Sequence, residues 1–184
     1  MKHMSKLLSG WSVWLMIGGT LVACQDNSPS LQAMQVYEGP RFEAENIETL
    51  YSDSAQLRMR MEAPLQQEFQ SGDQDFPRGI YIEFFSPEGE KTSTLRADSA
   101  HMEKATSLYK AYGNVIVINL EKHETLKTEE LFWNQREDKI YTDKFVRIET
   151  PKEILLGEGL VTNQRFSPYK IQKLRGTIAV PDEE

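Results

Sequence analysis

Cys24 is the only cysteine among 184 residues. An intramolecular disulfide is therefore impossible, and no cysteine cluster can hold zinc or an iron–sulfur centre. Histidine is almost as scarce, with three copies. His3 is N-terminal, His101 lies in an alternating segment, and His123 sits in the turn Glu121-Lys122-His123-Glu124. None has the His-x-x-x-His or cysteine neighbour of a metal site, so no metal and no cofactor is expected. Positive charge is short as well. Against 28 acidic side chains there are 21 basic ones, a net of −7, which argues against a nucleic-acid partner, since phosphates call for a basic face. No Gly-x-Ser-x-Gly elbow and no Gly-rich loop leading into a helix is present, and the chain reads as a non-enzyme. Acidic groups such as Glu129-Glu130 and Asp182-Glu183-Glu184 read as a solvated edge and a tail. After Cys24 no segment carries an apolar stripe at helical spacing.

What is present begins with an address. Lys2 and Lys6 form a basic head, Leu7 to Val22 is a short apolar stretch, and Leu21-Val22-Ala23 precedes Cys24. This is the pattern of a secretory signal. With a cysteine directly after the small residue, it resembles the lipobox of bacterial lipoproteins. That resemblance implies a diacylated Cys24 at the new N-terminus and attachment to a membrane by that lipid. The reading divides the chain into a signal (1–23), a lipidated cysteine with a flexible tether (24–40), a folded domain (41–181) and an acidic tail (182–184). Loss of the signal removes two lysines and lowers the net charge from −7 to −9.

The domain is written in period two. Leu57-Arg58-Met59-Arg60-Met61-Glu62-Ala63 alternates apolar and charged without a break, as a strand with one dry face does. Pro64 is expected to stop it, and residues 66–79 are expected to be a polar loop. Ile80-Tyr81-Ile82-Glu83-Phe84-Phe85 follows, with Ile82 and Phe84 on the dry parity, and Ser86-Pro87-Glu88-Gly89 is a turn. Glu43 to Leu50 fits either a short helical turn or a strand.

An internal repeat runs at an offset of 31 residues. It carries Leu95-Arg96-Ala97-Asp98 onto Leu126-Lys127-Thr128-Glu129, Val115 onto Val146, and Val117 onto Ile148. A weaker third copy starts at Leu155 and ends at Gly176-Thr177-Ile178. Repeats of this size share a continuous core, and alternating ones bend into an all-β open twisted jelly roll or half-barrel. Parity turns Met59, Met61, Ile82 and Phe84 inward. By the repeat, Leu95, Ala97, Val115, Val117, Leu126, Val146 and Ile148 also point inward. Leu131 shares its parity with Trp133, the last tryptophan after the signal is lost, whose N–H should find a polar partner at the rim. Such an interior is either a lumen for apolar ligands or a packed core serving only protein interaction.

The run Tyr51-Ser52-Asp53-Ser54-Ala55, then Met61-Glu62-Ala63-Pro64-Leu65, Phe76-Pro77-Arg78-Gly79-Ile80 and Leu95-Arg96-Ala97-Asp98 resembles the LptC family. So do Ala111-Tyr112-Gly113-Asn114-Val115, Leu126 to Trp133, Ile140-Tyr141-Thr142-Asp143 and Gly157-Glu158-Gly159. The likeness implies a twisted β-jelly roll whose groove takes the acyl chains of lipopolysaccharide. It implies receipt of that lipid from the inner-membrane LptB–LptF–LptG transporter and delivery to LptA or an LptA-like roll. It also implies a place on the periplasmic face of the inner membrane. Many members are held by one transmembrane helix, which the lipobox would replace here. The acidic net charge suggests that the anionic head group stays in water. The final strand, Gly176-Thr177-Ile178-Ala179-Val180, ends at Pro181 and leaves an edge for a partner strand.

Overall fold

The structure, a computed structural model, describes residues 37–179. The expected signal, Cys24, most of the tether, Val180 and the acidic tail lie outside the described residues. Among those described there is no helix, and eleven strands form one antiparallel sheet. They are β1 (Phe42–Asp53), β2 (Gln56–Glu68), β3 (Gln74–Phe76), β4 (Ile80–Phe85), β5 (Lys91–Ala97) and β6 (Ser99–Glu103). Then come β7 (Leu108–Asn119), β8 (Glu124–Asn134), β9 (Lys139–Glu149), β10 (Glu153–Thr162) and β11 (Lys170–Ala179). The architecture is the expected open, twisted jelly roll.

The sheet is a meander of long strands, two of them broken. β2 pairs with both β4 and β3, and β7 with both β5 and β6. β3–β4 is thus one strand interrupted at Pro77-Arg78-Gly79, and β5–β6 is one strand interrupted at Asp98. The interruptions line up with bulges elsewhere. The β1–β2 register skips Asn46, whose φ is 52°, and Pro64. The β7–β8 register shifts between Tyr112 and Val115, β8–β9 between Thr128 and Phe132, and β9–β10 between Glu158 and Leu160. A bulge bends a strand and raises its twist, so a row of them is a crease along which the sheet folds over. Gly79 and Gly113 lie on the crease with φ of +96° and +72°. A Cβ on Gly79 would also stand 2.9 Å from the Ala97 carbonyl oxygen.

The crease explains a correction. Pro64 does not stop its strand, and β2 continues to Glu68, while the expected loop contains β3. Proline removes a donor only where the ladder needs one, and at position 64 the β1 ladder is interrupted anyway. The ambiguous segment at Glu43 to Leu50 is a strand. The turn at 86–89 forms as expected, with the Gly89 N–H donating to the Ser86 carbonyl at 3.0 Å.

Candidate functional site

Inward residues meet in rows across the strands. Thr49 of β1 lies opposite Met61, Met61 opposite Ile82, and Ile82 opposite Leu95. The row goes on through Val117, Leu126 and Ile148 to Leu155, and ends at Thr177 of β11. It therefore crosses the whole sheet from one edge to the other. On the crease side, Val115 pairs with Thr128, Thr128 with Val146, and Val146 with Gly157. These rows are the sequence repeat seen in space, because the same offset brings Leu95 and Leu126 to either side of Val117.

The thirteen side chains assigned inward from sequence are all buried in one cluster, none exposing more than 6% of its surface. Folding at the crease brings the two halves of the sheet face to face. Phe84 meets Trp133 edge-on at 5.6 Å, and Trp133 stacks on Tyr109 at 4.9 Å. Burial pushes the Tyr109 hydroxyl above its ordinary pKa. The Trp133 indole N–H differs from expectation, for it has no hydrogen-bond partner among the described residues. The remaining internal space is small. Between Val117, Leu126, Ile148, Leu160 and Phe166 there is a cavity of about 20 Å³, enough for one water but not for an acyl chain. An acyl chain could enter only if the two halves parted or the loop over that end lifted.

That loop, 163–169, was not singled out from the sequence. It is held by two buried polar side chains that point inward from strands otherwise apolar there. The Ser93 hydroxyl donates to the Gln164 carbonyl at 3.2 Å, and Asn119 Nδ2 donates to the Arg165 carbonyl at 3.1 Å. The Asp138 carboxylate accepts the Gln164 N–H at 3.2 Å. Phe166 then enters the core at φ 52°, a strained conformation that persists only where the surroundings hold it. A signal was available, since Ser93 is two residues from Leu95 and Asn119 two from Val117. A polar group on a dry parity needs a partner.

The edges have the opposite character. β11 pairs with β10 and β1 with β2, and neither pairs with a second strand among the described residues. Of the predicted docking residues, Gly176 to Ala179 lie on that free β11 edge, and Ile178 is 51% exposed. Val180 lies outside the described residues. His101, on the outer side, pairs with Asp75, and His123 occupies a turn at φ 56°. No curated protein matches the chain. The model of the family described as "Lipopolysaccharide-assembly, LptC-related" matches residues 8–174, nearly the whole domain and part of the apolar segment before Cys24, and the chain belongs to the LptC family, a component of lipopolysaccharide transport.

Proposed function

We propose that this protein receives lipopolysaccharide from the inner-membrane LptB–LptF–LptG transporter and passes it to LptA, acyl chains inside the roll. One observation carries the reading: a row of paired residues, buried from Met61 to Ile148, runs from one free edge strand to the opposite free edge strand. A lipid sliding along that row would pass from one edge-docked partner to the next, with the exposed ends at Thr49 and Thr177 covered by the docked strands. The anchor is a diacylated Cys24, which would hold the domain at the periplasmic face of the inner membrane. The chain contains no nucleotide-binding motif, so movement is driven by the partner ATPase. The test is a photo-reactive residue at Val117 or Ile148 in living cells. Adducts containing lipopolysaccharide are expected; adducts to protein alone from both positions would overturn the groove. Mass spectrometry of the mature N-terminus checks the anchor, and an unmodified Cys24 removes it.

A second reading has its own support. An interior with room for one water suits a packed interaction module that stacks by its edges and takes up no lipid. In that case the two crosslinking positions would capture only neighbouring residues of the same chain.

A further inference from the structure

The 163–166 loop borders a second depression, one with polar walls. It holds about 90 Å³ and is lined by Arg58, Phe84, Thr92, Asp138, Gln164 and Arg165, among others. That volume is about three times the share of one water in the liquid, a size suited to a small oxyanion. Its floor is Phe84, whose ring touches both Trp133 and Phe166 at the top of the apolar interior. Its rim carries two guanidinium groups, and neither Arg58 nor Arg165 makes an ion pair with any described residue. Among the described residues both guanidinium groups are therefore open to an anion at this depression, which also holds the Asp138 carboxylate.

The backbone at Arg165 is also held on several sides. Its carbonyl is held by Asn119, its N–H by the Asn163 side chain at 3.0 Å, and the preceding residue by Ser93 and Asp138. Ser93 and Asn119 are almost wholly buried and use their side chains to fix this one loop. Asp138 and Glu88 are the acidic groups facing the pair. Hydrogen bonding to Ser86 chiefly holds the Glu88 carboxyl below its usual range, with smaller help from Arg165 and Arg58.

We propose that Arg58 and Arg165 form a receiving site for a phosphate monoester at the mouth of the roll. It rests on the lipid-carrier reading above and adds to it. The lipid's phosphate is held at this rim while its chains pass below Phe84, in place of a head group left wholly in water. Arginine suits the role, because its planar fork meets two phosphate oxygens at once.

The test uses the full chain in detergent with three probes: bisphosphorylated lipid A, the same lipid after phosphatase treatment, and inorganic phosphate. The wild type should hold the phosphorylated lipid about tenfold more tightly than the dephosphorylated one, as charge-assisted hydrogen bonds predict. An R58A/R165A double variant should lose that preference and hold the dephosphorylated lipid unchanged. Asp138→Asn should strengthen the preference by removing a competing carboxylate. Circular dichroism confirms that each variant keeps its β signal. Equal binding of the two lipid forms by the wild type overturns the phosphate site and leaves the groove standing. Binding of neither form overturns both. Inorganic phosphate held as tightly as the phosphorylated lipid would make free phosphate the occupant and overturn the lipid assignment.

Discussion

In the middle of the sheet, β7 and β8 are laddered on both sides, and their inward residues are dry. At the ends, β1 and β11 are laddered on one side and expose nearly every position, apolar ones such as Leu50, Leu174 and Ile178 included. Strand-forming sequence occurs in both places. The difference is neighbours. A strand between two others gains burial on its inner face and a complete set of backbone hydrogen bonds. An edge strand leaves a row of N–H and C=O groups and some apolar surface for another chain. The two edges also differ from each other. β1 carries Glu43, Glu45, Glu48 and Asp53 and no basic residue, whereas β11 carries Lys170, Lys173 and Arg175 and no acidic one. Partners of opposite charge are favoured at the two ends.

The largest expected effect tests the middle. Val117→Asp buries a carboxylate among apolar neighbours, which is among the few changes that cost more than about 4 kcal/mol. Urea unfolding should show the loss, and a variant as stable as wild type would mean the interior is wetter than the packing suggests. Trp133→Ala should cost about 3–5 kcal/mol. Trp133→Phe should cost far less, because it keeps the ring contacts with Phe84 and Tyr109 and deletes an N–H that has no partner.

The edge prediction is the reverse in kind. Ile178→Pro should shift the urea midpoint much less than Val117→Asp, since proline is tolerated on edge strands. It should nevertheless abolish co-purification with LptA, and retained co-purification would remove β11 as the docking edge. A milder probe, K170E/K173E, should weaken that complex and blunt its salt dependence, leaving the unfolding curve almost unchanged.

The smallest effect belongs to the outer face. The Glu149 carboxylate accepts hydrogen bonds from Arg147 Nε at 2.8 Å and Lys127 Nζ at 2.9 Å, which hold its pKa below the usual 4.5. A depressed carboxylate contributes stability above the unfolded-state pKa and loses it as pH falls through the folded one. Glu149→Gln should therefore cost a little stability at pH 7, where the wild-type carboxylate is charged and bonded, and should converge on wild type as pH falls below about 4.5. Unfolding curves at pH 3.5 and 7 would check this.

Much of this architecture was legible in the sequence because alternation and repeat are local. Parity and the repeat assigned the thirteen inward positions, and the offset of 31 residues matched Leu95 with Leu126 and Val117 with Ile148 before any contact was known. The motifs at Ala97-Asp98, Gly113-Asn114, Thr128-Glu129-Glu130 and Gly157-Glu158-Gly159 were legible as a pattern, yet their shared role was not. They lie side by side on the crease, and only strand pairing brings residues so far apart in sequence into one line.

Proline at position 64 misled for the same reason. Local chemistry makes it a terminator, and only the interrupted ladder opposite makes it harmless. Sequence alone determined the all-β class, the inward face of β2, β4, β5, β7, β8 and β9, and the family to which the chain belongs, since side-chain alternation follows from backbone geometry that every strand shares. The tertiary structure decided that the interior is closed around Trp133, Phe84 and Phe166, that Ser93 and Asn119 pin the loop carrying Arg165, and that β1 is the edge opposite β11. Those outcomes depend on which surfaces meet after the sheet folds at its crease, and no local pattern encodes that meeting.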